Sequence, residues 1–286
     1  MTQADATPFS KTKEFALSDA EFDRLRALVH ARTGISLSQA KRELVYGRLV
    51  RRLRALRLER FGDYIELVEG DGQAAEMQEF INAITTNLTA FYREPHHFDV
   101  LASTVLPALV RANAATRRIR IWCSACSTGE EPYTIAMTLR ECESLWSGFD
   151  VRVLATDLDT QCVAHARRGV YAEDRVRELP RARLERWFEP GPQPGTVRVV
   201  PDLQRLVTFG QLNLMDPWPM RGPLDVIFCR NVVIYFDKDA QRRLFDRMAE
   251  LQREGAHLFL GHSETLFKVS TRYELIGRTV YRRHGP

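Results

Sequence analysis

Apolar positions recur at helical spacing through the first third of the chain. Phe22, Leu25, Leu28 and Val29 form one amphipathic stripe, and the pairing of Ser18 with Glu21 three residues on marks its start as a capping box. Gly34 is placed to end that helix. A second helix is predicted over 38–58, with Leu44, Val45, Leu49, Leu53 and Leu56 on its apolar face. Shorter helical patterns cover 61–69 and 74–86, and no segment repeats. The pattern predicts an all-helical N-terminal block.

From about residue 98 the period changes. A helix carrying Val100, Leu101, Val105 and Leu109 leads into a β-branched run at 118–123. Further strands are predicted at 150–157, 206–213, 224–229 and 256–260, alternating with helices at 131–143, 160–168 and 239–253. Such alternation predicts a mostly parallel sheet covered on both faces. The closing "YELIGRTVYRR" reads as a hairpin turning at Gly277, which brings an antiparallel strand into that sheet. One piece breaks the alternation. "RWFEPGPQPGTVRVVP" has two β-leaning runs around a Pro/Gly loop and predicts a small antiparallel insert at about 184–204. The expected fold class is α/β, a Rossmann-like sheet with that insert, preceded by an all-α N-terminal domain. The domains are expected at 1–88 and 89–286, with 1–17 a disordered polar lead.

Bulk composition adds little: 286 residues, 44% hydrophobic and 27% charged, is ordinary for a globular protein. The distribution of charge adds more. Eight basic residues face two acids between Lys41 and Arg60. Within that stretch Arg51 and Arg54 point away from the apolar face, with Arg48 and Arg57 flanking. The opening residues lack the layout of a signal peptide, and no apolar run approaches the ~18 residues of a spanning helix. A soluble, cytoplasmic protein is expected. Five cysteines are present. Cys123 and Cys126 are spaced like a redox or zinc pair, but no second pair of ligands completes a site, and Cys123 sits inside a strand pattern. Core packing of reduced thiols and no bound metal are the expectation.

The chemistry gathers at strand ends. In an open α/β sheet, ligands sit beyond the carboxyl ends of the strands. Four segments converge there: the "SACSTGEEP" loop with Glu130 and Glu131, Asp157 in "ATDLD", Asn213 in "QLNL", and Arg230 with Asn231 in "CRNVVIYF". A pyrophosphate would want a glycine-rich loop of bare amides. This loop offers Gly129 alone and two adjacent acids. A cationic, phosphate-free adenosyl donor, S-adenosylmethionine, fits better. Taken singly, each acid has a plainer reading, since acids suit the first turn of any helix and Asp157 could simply cap the next one. The coincidence of several strand ends carries the argument.

At these residues the sequence resembles the CheR family, methyltransferases that esterify glutamates on bacterial chemotaxis receptors. The likeness runs from "LSDAEFDRL" to "RTVYRR" and is dense in "KRELVYGRLVRRLRAL", "INAITTNLTAFYREPHHF", "STGEEPY", "FCRNVVIYFD" and "GHSE". The resemblance implies that Asn87, Thr89, Arg93, Glu131, Asp157, Asn213, Leu214, Arg230 and Asn231 contact S-adenosylmethionine, and that S-adenosylhomocysteine is the product. It places Tyr235 near the methyl group, and Arg93 and Tyr235 are the candidates for holding the acceptor carboxylate. Arg93 could otherwise pair with its neighbour Glu94. The resemblance also gives the basic helix a partner: Arg48, Arg51, Arg54 and Arg57 would dock acidic helical segments of methyl-accepting receptors. Some members tether to a receptor tail peptide through a Gly-x-Gly loop in the insert. Here that loop is "EPGPQPGT", so tethering is not expected. Nothing in the sequence demands more than a monomer.

Two rival readings share these residues. A nucleic-acid methyltransferase could use the basic helices, but "MDPWP" precedes the "LDVIFC" strand instead of following it, and that strand ends in Arg-Asn. The basic helix also lacks the interleaved exposed aromatics of single-strand binding, so no nucleic-acid partner is expected. A non-catalytic module that senses S-adenosylmethionine would carry the same pocket, although the motifs are complete. A dehydrogenase is a distant third reading, given the phosphate-hostile loop.

Overall fold

The structure is a computed structural model that describes residues 13–70 and 74–285. The described residues divide into two units, those before 32 together with those from 37 to 84, and residues 32–36 together with those from 85 on.

The helical unit contains α1 (Asp19–Thr33), α2 (Arg42–Leu56), α3 (Phe61–Glu69) and α4 (Ala74–Ile84). The capping box forms as the sequence predicts. Ser18 N–H donates to Glu21 Oε2 at 2.7 Å and Glu21 N–H to Ser18 Oγ at 3.2 Å. Phe22, Leu25, Val29, Leu49, Leu53, Phe61, Tyr64 and Phe80 fill the core. The apolar face of α2 differs from expectation. Leu44 is 45% exposed, and the buried set is Val45, Leu49, Val50 and Leu53. The helix ends where Arg57 turns left-handed (φ 57°) and Leu58 N–H reaches back to Leu53 O at 2.9 Å.

Residues 1–12 of the expected disordered lead lie outside the described residues. Residues 13–17 are fastened to α2. Lys13 pairs with Glu43 at 2.6 Å, Phe15 N–H donates to Tyr46 Oη at 3.2 Å, Glu14 pairs with Arg54, and Leu17 is buried. Opposite charges and one apolar anchor order this short stretch.

The second unit begins with a helical segment, α5 (His96–Val100) running through a π turn at Leu101–Val105 into α6 (Leu106–Ala112). Then follow β1 (Arg118–Cys123), α7 (Glu130–Glu141), β2 (Asp150–Asp157), α8 (Thr160–Arg168), β3 (Val170–Ala172), α9 (Arg181–Trp187), β4 (Phe188–Pro190), β5 (Thr196–Val199), α10 (Pro201–Gln204), β6 (Val207–Gln211), β7 (Leu224–Cys229), α11 (Lys238–Glu250), β8 (Gln252–Leu260), β9 (Tyr273–Gly277) and β10 (Val280–Arg283). The main sheet has the order β6-β2-β1-β7-β8-β10-β9. Its first five strands are parallel, and the closing hairpin adds the antiparallel pair. β3, β5 and β4 make the small antiparallel sheet, which recruits its first strand from ahead of the expected insert.

β7 is buried at every position, as a central parallel strand must be. One apolar core lies on each face of the sheet, one around Ile121, Tyr133 and Phe228 and the other around Trp122, Ile227 and Phe245. Chain order reverses at β1: β2 lies on one side and β7 on the other. The crevice rule for open sheets puts a ligand at the carboxyl ends of these two neighbours. Among the described residues no helix is long and apolar enough to cross a membrane.

Candidate active site

The loop after β1 is folded by its own amides. Cys126 N–H donates to Thr156 O at 2.9 Å, Ser127 N–H to Asp157 Oδ2 at 2.7 Å, and Gly129 N–H to Cys126 O at 3.0 Å. A phosphate-binding loop presents such amides to its ligand; here they are committed inside the protein. Gly129 has φ +100°, and an added Cβ would stand 2.7 Å from Tyr171 Oη and 2.8 Å from Ala166 Cβ. Only glycine makes that corner.

The two acids that follow part ways. Glu130 is 1% exposed, accepts from Arg175 Nη2 at 2.5 Å and from Thr128 Oγ1 at 2.6 Å, and is a packing residue. Glu131 turns to β7, where Arg230 Nη1 meets it at 2.5 Å and Cys123 Sγ donates at 3.3 Å. Cys123 and Cys126 are free and buried, and burial pushes both thiols up, against redox use.

Asp157 closes β2 and is 8% exposed. Burial pushes its carboxyl up to about 6, even though the N–H groups of Asp159 and Ser127 favour the ionised form. It does not cap α8; Asp159 does, accepting from Gln161 N–H at 2.9 Å and Cys162 N–H at 3.1 Å. The other Asp159 oxygen takes Asn87 Nδ2 at 2.7 Å and Thr85 Oγ1 at 2.8 Å. Ser127 Oγ donates to Asn87 O at 2.9 Å. The polar "TTNLT" stretch is thereby fixed beside the ends of β1 and β2.

Arg230 is 4% exposed and organises the other side of the crevice. Besides Glu131, it donates through Nη2 to Arg93 O at 2.6 Å and lies 3.4 Å from Glu94 Oε2. Arg93 itself donates to Leu88 O at 2.7 Å; the neighbour Glu94 pairs with Arg230 and, at 3.0 Å, with His262. Burial alone would raise the Glu94 carboxyl, but the His262 hydrogen bond and the Arg230 charge hold it at about 2. Glu94, His96 and His97 also bring ligand-type atoms within 4.8 Å of one another, a grouping that cysteine spacing did not suggest. Asn231 has φ +57° and is set by Glu264. That one carboxylate accepts from the N–H groups of Gly261, Asn231, Val232 and Val233 at 2.7–2.9 Å. Four residues on, Tyr235 ends a short turn at Val233–Tyr235, half-buried, its carbonyl accepting from Ser36 N–H at 2.7 Å.

Two hydrogen-bonded groups therefore lie at the carboxyl ends of the strands: Asn87 and Asp157 joined through Ser127, and Arg93, Glu131 and Asn231 around Arg230 and Glu94. Thr89 is linked through its carbonyl, which accepts from Arg175 Nη2 at 2.8 Å. Asn213 faces elsewhere with its side chain. Its amide donates to Arg32 O at 2.7 Å, its Oδ1 accepts from Met215 N–H, and Leu214 is buried in the core. Asp159, Glu94, Arg175 and Glu264 were not singled out from sequence. Asp159 and Glu264 were visible as the second acid of "ATDLD" and the acid of "GHSE", whereas nothing near Arg175 announces a partner 45 residues away. Arg48, Arg51, Arg54 and Arg57 belong to the helical unit. There Arg48 donates to Ile84 O at 2.7 Å, Arg54 holds Glu14, and Arg51 is exposed.

Comparison with known proteins yields two family matches. The description "CheR methyltransferase, all-alpha domain" matches residues 20–85, and "CheR methyltransferase, SAM binding domain" matches residues 87–282. The chemotaxis protein methyltransferase of Klebsiella aerogenes is 46% identical over 268 residues, covering 93% of this chain and 90% of that protein. That of Escherichia coli is 44% identical over 273 residues, 94% and 93%. Chemotaxis protein methyltransferase 2 of Pseudomonas aeruginosa is 45% identical over 286 residues, 98% and 99%.

Proposed function

The chain belongs to the CheR methyltransferases, and from that premise we propose that it moves a methyl group from S-adenosylmethionine to glutamate side chains of chemoreceptors, forming methyl esters. The observation that carries this reading is an acid-lined crevice in which the loop amides of Cys126, Ser127 and Gly129 are already engaged. Glu131 and Asp157 suit a cationic adenosyl donor, and Ser127 N–H, bound to Asp157, is closed to a phosphate.

When bound, the donor supplies a methyl group on a positively charged sulfur, which a carboxylate accepts without gaining or losing a proton. A free glutamate ionises near pH ~4.3, so no general base is needed at neutral pH. The work left to the protein is positioning and exclusion of water. Asp157 takes the ribose hydroxyls, and Glu131, fixed by Arg230, faces the cationic end. Asn87, Thr89, Arg93, Arg230 and Asn231 complete the donor site, to which Asn213 and Leu214 contribute main chain. Arg93 and Tyr235 donate to the acceptor carboxylate. Residues 1–88 form the receptor-facing part and 89–286 the transferase. Of the four docking arginines, Arg51 carries most of the attraction, because Arg48 is occupied by a helix end and Arg54 by Glu14. The protein acts in the cytoplasm as a monomer. Tethering to a receptor tail is disfavoured: β4 is the edge of the small sheet and ends in Pro190, and proline blunts strand addition.

The deciding experiment is transfer of tritiated methyl to receptor-bearing membranes. The label should leave as methanol on mild base treatment, as an ester requires. Label that survives base, or that appears in nucleic acid, would replace this reading.

A further inference from the structure

Seven large apolar side chains are exposed among the described residues, and three of them hang on the loops that build the crevice. They are Leu88 at 77%, Ile234 at 52% and Phe267 at 74%. Exposed apolar groups gathered at one place mark a contact surface, whereas scattered ones need no explanation.

Hydrogen bonds join the loops that carry them. Leu88 O is held by Arg93 Nη1 at 2.7 Å, and Arg93 O by Arg230 Nη2 at 2.6 Å. Arg230 opens the loop that carries Ile234. Val232 and Val233 N–H, in that same loop, bind Glu264 Oε1 at 2.9 Å each, three residues ahead of Phe267. Ser127 fixes the Leu88 segment to the loop after β1. The loops after β7 and β8 leave parallel strands at their carboxyl ends, and the Leu88 segment is tied to the same edge. Polar neighbours of the three side chains face inward on Arg230 and Glu264 while the apolar groups face water. Charge accompanies them: Arg93 lies on the first loop, and Lys268 Nζ sits 5.3 Å over the Phe267 ring on the third.

From this arrangement we infer that Leu88, Ile234 and Phe267 form an apolar rim that docks the segment carrying the acceptor glutamate. The partner is an acidic, amphipathic stretch of protein. Its apolar residues cover the rim, its acids meet Arg93 and Lys268, and its glutamate enters between them. The inference rests on the methyl-transfer reading, because any acceptor must pass this edge to reach the donor. The rim sets acceptor affinity and specificity and leaves donor binding alone.

The test uses the full chain, tritiated S-adenosylmethionine, and membranes from the source strain after deletion of its own copy of the gene. Leu88→Ser, Ile234→Ser and Phe267→Ser should each lower kcat/KM for membrane receptors by about three- to tenfold, the range expected for losing one apolar anchor. Donor affinity by calorimetry should stay within about twofold, since no donor contact is removed. Leu145→Ser serves as control: this residue is also exposed (45%) but follows α7 at the opposite edge of the sheet. It should match wild type. Rim variants with wild-type kcat/KM, or with donor affinity falling in step, would overturn the rim. Absence of transfer by the wild type would overturn the underlying reading before any variant is made.

Discussion

If Asp157 receives the donor's ribose as proposed, donor binding should depend on pH in a calculable way. Its carboxyl is raised from 3.8 to about 6, chiefly by burial. At roughly 1.4 kcal/mol per pH unit, the folded protein disfavours the ionised form by about 3 kcal/mol. The sign follows directly. A carboxyl whose pKa rises on folding keeps its proton longer in the folded state, so its contribution to stability is complete below about 3.8 and is lost as pH climbs through about 6. A ribose whose hydroxyls donate to the carboxylate needs the ionised form. Donor binding then expels the proton, and affinity rises with pH across the same window. With a free-state pKa near 6, about one-tenth of the protein is ionised at pH 5, so the apparent affinity there should be ~tenfold weaker than at pH 7.5. Asp157→Asn should weaken binding at neutral pH by about ten- to a hundredfold, the worth of charge-assisted hydrogen bonds, and should flatten the profile. Titration calorimetry from pH 5 to 8, in buffers of different ionisation heat, measures both affinity and proton release. A flat wild-type profile, or a variant that keeps the slope, would show that Asp157 does not receive the ribose.

Three further outcomes are expected. If Arg93 holds the acceptor carboxylate as proposed, Arg93→Ala should cut turnover at least ~tenfold; normal turnover with unchanged donor affinity would assign Arg93 to loop packing alone. Charge reversal at Arg51 and Arg54 should weaken receptor methylation at low salt and flatten its salt dependence, read from initial rates between about 20 and 300 mM salt. Glu264→Gln leaves one acceptor oxygen for four amides, so two of them lose their partner; thermal unfolding should show a loss of about 2–4 kcal/mol, and an unchanged melting temperature would mean that water replaces the carboxylate.

The strand at 224–229 was legible as a near-continuous apolar run, the mark of a buried parallel strand, and those at 118–123 and 150–157 as β-branched residues alternating with charged ones. β8 starts at Gln252, four residues earlier than the apolar run at 256 suggests. Gln252 satisfies its amide on His257 O and receives Tyr273 Oη, partners that no local pattern displays. Leu44 misled for a related reason: helical spacing fits either neighbour, and the packed unit chose Val45 and Val50. At the site, the residues at strand ends could be read because the fold class fixes where strands point. Glu94 and Arg175 could not, since their partners Arg230 and Glu130 lie 136 and 45 residues away. Long-range pairing of this kind leaves no periodic trace.

Glu14 already occupies the guanidinium of Arg54. An acidic partner that arrives at this helix enters an exchange: one carboxylate must leave as another is accepted, and the count of ion pairs does not grow. Arg51 has no such tenant among the described residues, and there a newcomer adds a pair. A shortened chain beginning after Glu14 would therefore hold acidic partners more tightly than the chain that carries it.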